Sequence, residues 1–156
     1  MPGHTPGLCV LHDPGHRLLL AADHLLERIS PNPLIELRPD GPQLFQPLRA
    51  YLDSLARTRA LEVELVVPGH GPPFGGHRAV IDGLLGFYVK RQARLAELLA
   101  GGPRTGWELC QALFPRARPG EAFLTMSETV ANLEVLEAQE RVARALEGEA
   151  WRFGLV

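Results

Sequence analysis

No stretch of the chain approaches the roughly 18 consecutive apolar residues of a membrane span. The opening Met1-Pro2-Gly3-His4 has neither the basic nor the apolar region of a secretory signal. Both observations point to a soluble, cytoplasmic protein. A positive surplus is missing too: the formal net charge is −2 over 156 residues. That argues against a general binder of nucleic acid or of membrane surfaces, both of which need excess positive charge. Cysteine is scarce. Cys9 and Cys110 lie far apart with no partners at metal-binding spacing, so free, partly buried thiols are expected. Lysine occurs once, at Lys90, and arginine supplies the other basic residues; a GC-rich or thermophilic source explains that bias as well as any chemistry. Histidine is absent after His77. Because histidine is the commonest metal ligand and general base, any catalytic content is expected before about residue 80.

What is present reads as an α/β layer followed by a smaller unit. The apolar runs 7–12 and 17–22 flank Asp13-Pro14-Gly15-His16, a turn signal that predicts a β-hairpin. Prolines at 31, 33, 39 and 42 exclude regular structure from the next stretch, which is long enough for a lid or substrate loop but is by default a surface connection. Leu48, Tyr51, Leu52 and Leu55 predict a helix over 46–58, with Pro47 in its first turn. The run 61–67 suits a buried strand and ends in the loop Pro68-Gly69-His70-Gly71-Pro72-Pro73. A long amphipathic helix is expected over 78–99, stopped by Gly101-Gly102-Pro103. Beyond it, Thr105 with Glu108 and Thr125 with Glu128 fit capping boxes, predicting helices at 105–113 and 126–139. Residues 141–153 then alternate about Glu147-Gly148-Glu149, as a hairpin does. Helix, helix, hairpin is the order of a winged helix, so two domains are expected, 1–100 and 101–156.

Three segments place a ligand-type residue in a Gly/Pro loop or just past a strand: Pro2-Gly3-His4-Thr5-Pro6-Gly7, Ala21-Ala22-Asp23-His24, and Pro68-Gly69-His70-Gly71-Pro72. Glycines beside a histidine let the backbone fold tightly and bring the imidazole to a shared point, and α/β sheets build sites outside strand ends. Two imidazoles with a carboxylate between them suit Zn²⁺ or a similar ion. Read singly, each has an ordinary alternative: a solvated turn for His70, a helix cap or surface charge for Asp23, a disordered end for His4. His12 and His16 flank the hairpin turn and are expected to face solvent. His24 has second-sphere, helix-start and surface readings, and His77 is expected to hydrogen-bond locally at the start of the long helix.

The order PGHTPG, hairpin, D-H-L-L, strand, PGHGP resembles the second half of the metallo-β-lactamase superfamily over essentially the whole chain. With the winged-helix-like tail, it resembles the branch that includes β-lactamase-like protein 2 and hydroxyacylglutathione-hydrolase-like proteins. The resemblance implies half of an αββα sandwich followed by a small winged-helix-like α+β domain. It implies that His4 binds a first metal ion, that Asp23 bridges two, and that His70 binds the second. Zinc is the implied metal, up to two ions. In that family the metals make hydroxide available near neutral pH and polarise the scissile carbonyl or phosphoryl group, which implies thioester, ester or phosphodiester substrates, small molecules or RNA.

The family's other signature, H-x-H-x-D-H, occurs nowhere in this chain. The catalytic acid/base is therefore unassigned, and each metal is left with two protein ligands where catalytic zinc keeps three. The expectation is a catalytically incomplete hydrolase half with one apolar sheet face open. An internal start, a truncated paralogue, or a homodimer covering that face would each account for it. The alternative function is a non-enzymatic dimerising or binding module with a winged-helix tail. DNA is not the expected partner, because acidic and basic residues balance over 90–156 and the helix at 126–139 carries Glu128, Glu134 and Glu137 without Arg or Lys.

Overall fold

Residues 1–35 and 45–156 are described in a computed structural model; the part of the Pro-rich stretch at 36–44 lies outside them. By compactness the chain divides into two units, Met1–Phe87 and Tyr88–Val156.

The expected hairpin is present as β1 (Leu11–Asp13) antiparallel to β2 (Leu18–Ala22). Asp13 shapes its turn: Oδ1 accepts the backbone N–H groups of Gly15 (2.9 Å) and His16 (3.2 Å), the local bonding that suits Asp to turns. Its Oδ2 meets the His16 ring at 2.7 Å, and that bond holds the carboxyl below its ordinary pKa. The helix α1 (Pro47–Arg59) follows, then β3 (Leu65–Pro68). The sheet order is β1-β2-β3, with β2 and β3 parallel. A parallel pair needs a crossover, and α1 lies within it. The strand expected over 61–67 is confined to its last part, since Glu64 and Leu65 donate instead to the Arg17 carbonyl at the hairpin end.

Alternation in this sheet divides its faces. Leu19, Ala21 and Val66 are fully buried. The opposite face pairs Leu11 with Leu20, Leu18 with Leu65 and Leu20 with Val67. On it Leu11, Leu20 and Leu65 keep 67%, 41% and 44% of their surface exposed. In the first unit this is an apolar face without a cover among the described residues.

The helix α2 (His77–Leu99) runs from the first unit into the second. In the second unit β4 (Arg104–Thr105), α3 (Gly106–Leu113), α4 (Ala122–Ala138), β5 (Val142–Glu147) and β6 (Ala150–Leu155) follow, with a three-stranded sheet ordered β4-β6-β5. Its core is Leu95, Leu99, Leu109, Leu133, Leu136, Val142 and Phe153. The capping box at Thr105 and Glu108 forms as expected. The one expected at Thr125 and Glu128 does not. Pro119 opens a 3₁₀ turn whose Glu121 carboxylate accepts the Arg118 N–H at 2.9 Å, so the chain is helical one turn earlier, from Ala122. Thr125 then lies inside α4, donating to the Glu121 carbonyl at 3.0 Å, and Glu128 pairs with Arg91. Of the cysteines, Cys110 is buried but Cys9 is exposed, and both are free. Among the described residues no helix is long and apolar enough to cross a membrane.

Candidate metal centre

Asp23 leaves β2 through a bulge. The pairing with β3 slips between Leu20 and Ala22, and Ala22 takes φ 45°, a left-handed conformation uncommon outside glycine. A bulge bends a strand and re-aims the next side chain; here that side chain is Asp23. His70 follows the end of the parallel neighbour β3, so both stand outside the carboxyl ends of adjacent strands, where α/β sheets build their sites. Gly69 permits the approach. Its N–H donates to the Ala22 carbonyl at 2.8 Å, and a Cβ at this position would lie 2.5 Å from Asp23 Oδ1.

His4 arrives from the other side on the first loop. Its Nδ1 bonds the Asn32 carbonyl at 2.8 Å. A carbonyl only accepts, so Nδ1 carries the proton and the neutral ring presents the Nε2 lone pair. That nitrogen is 3.9 Å from Asp23 Oδ2, while His70 Nε2 is 3.5 Å from Asp23 Oδ1. Oδ1 is buried and accepts no hydrogen bond among the described residues.

Each imidazole therefore faces its own oxygen of one carboxylate, across a gap too wide for a hydrogen bond. Ligands about 2.1 Å from a tetrahedral ion lie about 3.4 Å from one another, so both gaps are close to the span across a zinc ion. The backbone carbonyl behind His4 is also the usual partner of a metal-binding imidazole. The donor set fits zinc in type and spacing, with one imidazole on each side of Asp23. It does not make a closed cage: among the described residues no three His, Cys, Asp or Glu gather around a single ion.

The remaining histidines stand elsewhere. His16 is exposed on the turn, and His12 meets the Glu62 carbonyl at 3.4 Å. His77 is buried at the start of α2, and burial lowers its pKa. The surface reading of His24 is corrected: it is fully buried. Its Nε2 meets Thr58 Oγ1 at 2.7 Å, and burial, more than the nearby positive charges, lowers its pKa to about 4. Asn32, Ser54 and Thr58 have no role in the sequence reading, and Tyr51 enters it only as one position of the helical pattern. For Ser54 and Thr58 a signal existed, since they share the helix face of Tyr51 and Leu55, where an aliphatic residue would be ordinary.

Residues 1–70 match the sequence profile of the metallo-β-lactamase superfamily. The chain is 37% identical over 153 residues to the probable metallo-hydrolase YqjP of Bacillus subtilis (strain 168), covering 98% of this chain and 48% of that protein. Among solved structures it resembles a metallo-β-lactamase family protein from Thermus thermophilus, at TM-score 0.82 and 33% identity over 99% of this chain and 47% of that one. It also resembles a β-lactamase domain protein from Burkholderia ambifaria, at TM-score 0.88 and 28% identity over 99% and 46% of the two chains. The chain thus spans about half the length of the relatives it matches. By sequence and by its mixed α/β fold, the chain is similar to proteins of the metallo-β-lactamase superfamily.

Proposed function

We propose that this chain supplies one half of a zinc centre in a metal-dependent hydrolase, with His4 on one ion, His70 on a second and Asp23 bridging the two. The observation that carries the reading is Asp23 itself: a carboxylate with one buried oxygen that accepts no hydrogen bond among the described residues, faced on its two sides by two imidazole nitrogens. When bound, zinc would supply a water acidic enough to lose a proton near neutral pH and a Lewis acid for the scissile carbonyl or phosphoryl oxygen. The chain's own residues hold and orient. Asn32 fixes the His4 tautomer, the Ala22 bulge aims the carboxylate, and Gly69 lets the His70 loop close on it. Beside His70, a cavity of about 160 Å³ between Leu26, Ile29 and Pro72 offers room for an apolar group. Thioesters, esters and phosphodiesters, RNA included, are the substrate classes in keeping with this chemistry.

Two ligands per ion fall short of the three that catalytic zinc retains, so hydrolysis belongs to a form in which the missing ligands are added. The test is elemental analysis of the purified chain after exposure to zinc and gel filtration. Near-stoichiometric zinc, lost in His70→Ala and in Asp23→Asn, is the expected result. A wild-type chain that carries no zinc would overturn the proposal.

One observation favours a second reading, the dimerising module: the apolar face of Leu11, Leu20 and Leu65. In that reading two copies bury these faces against one another. The segment after residue 100, with α3, α4 and the β5–β6 hairpin in that order, is then a winged-helix-like tail used for packing. DNA is a poor partner for it, because α4 has no Arg or Lys to meet phosphates.

A further inference from the structure

One face of α1 carries three buried hydroxyls, those of Tyr51, Ser54 and Thr58. The spacing of three and four residues places them in a row. A buried hydroxyl is costly unless it is bonded, and all three bond out of the helix to the two loops that bear His4 and Asp23. Ser54 Oγ donates to the Pro2 carbonyl at 2.8 Å, two residues before His4. Tyr51 Oη donates to the His24 carbonyl at 2.9 Å, one residue after Asp23. Thr58 Oγ1 donates to the Ser54 carbonyl at 3.0 Å, so its lone pair is left to receive the His24 Nε2–H at 2.7 Å. Tyr51 touches both loops. Its ring stands edge-on to His24, with centroids 5.6 Å apart, and its Cβ lies 2.6 Å from where a Cβ on Gly3 would be, so only glycine fits beside it.

We infer that Tyr51, Ser54 and Thr58 are positioning residues: through them α1 grips the His4 loop and the Asp23 loop together and sets the His4–Asp23 gap. Neither loop has regular secondary structure of its own to fix that distance. The helix does so because its hydroxyls stand at fixed separations along one rigid rod. The inference rests on His4 and Asp23 being metal ligands.

It is tested on the full chain by competing zinc against a chromophoric chelator while following thermal unfolding of the metal-free protein. Thr58→Val removes the acceptor at nearly constant volume, Thr58→Ser restores it, and Leu55→Ala is a core control on the same helix. Zinc affinity is expected to fall severalfold in Thr58→Val, less than the roughly tenfold or more that follows loss of a direct partner of a metal-binding residue, and to recover in Thr58→Ser. Leu55→Ala should cost more stability and less affinity. Equal zinc affinity in Thr58→Val and wild type, or a loss in Leu55→Ala as large as in Thr58→Val, would overturn the inference and leave the metal reading standing. Failure of the wild type to bind zinc would overturn both. Should Thr58→Val not fold, Ser54→Ala carries the same expectation from the His4 side.

Discussion

At the scale of single residues, glycine and a strained alanine decide where the ligand atoms point. Gly69 is the sharper case. A methyl group there meets Asp23 Oδ1 at 2.5 Å and the Ala22 backbone at 3.1 Å, and the backbone cannot swing aside. Gly69→Ala should therefore push the carboxylate away from His70. The expected outcome is a fall in zinc affinity of at least about tenfold, with about 1–3 kcal/mol of lost stability from overpacking, measured by chelator competition and by denaturant unfolding. Unchanged affinity in a folded Gly69→Ala protein would show that Asp23 is not held against this loop. Ala22 shows the other side of the same economy. Its left-handed backbone costs about 1–2 kcal/mol, and the step it makes is what turns Asp23 out of the strand.

At the scale of elements, local chemistry wrote most of the boundaries. The hairpin about Asp13-Pro14-Gly15-His16, α1, the long α2 and the capping box at Thr105 were legible because turn residues, helical spacing and cap pairs act within a few residues. The Thr105 hydroxyl accepts the Glu108 N–H at 3.2 Å. Thr105→Ala should lower unfolding stability by about 1 kcal/mol with zinc content unchanged, a pairing that calorimetry and metal analysis on one sample can check. Where reading failed, two local signals competed. Thr125 and Glu128 fit a capping box, but Pro119 opens a turn, with the Glu121 carboxylate accepting the Arg118 N–H, that starts the helix earlier, and Glu128 is drawn to Arg91. The roles of Tyr51, Ser54 and Thr58 were not legible for a different reason. Their partners, the Pro2 and His24 carbonyls and the His24 ring, are brought to them by tertiary folding, and helical spacing records only which face they share.

At the scale of the whole molecule, the candidate site and the open sheet face belong to one question. The sequence expects His4 and His70, in glycine-flanked loops, and Asp23, just past a strand, to converge; the structure sets the two imidazoles 3.9 and 3.5 Å from the Asp23 carboxylate. The face of β1, β2 and β3 that carries Leu11, Leu20 and Leu65 is apolar and exposed, and such patches mark surfaces that bind. If a second copy covers it, the 17.1 kDa chain should have twice that mass in solution. Paired charges at Leu20→Lys and Leu65→Lys should return it to a monomer without disturbing Leu19 or Val66 on the buried side. Light scattering reads this directly, and a wild-type monomer across the micromolar range would remove the dimer reading.

The grip of α1 on two distant loops also has a consequence in time. Ser54 reaches back 52 residues to Pro2, and Thr58 reaches 34 to His24. Asp23 and His70 meet only once the parallel crossover between β2 and β3 has closed. Contacts that span so much chain form late, because loop-closure entropy must be overcome first. The hairpin and the helices can assemble from near neighbours, whereas no pair of the three candidate ligands is adjacent in sequence. An ion arriving early in folding finds scattered imidazoles, and one arriving late finds the carboxylate already held between two of them.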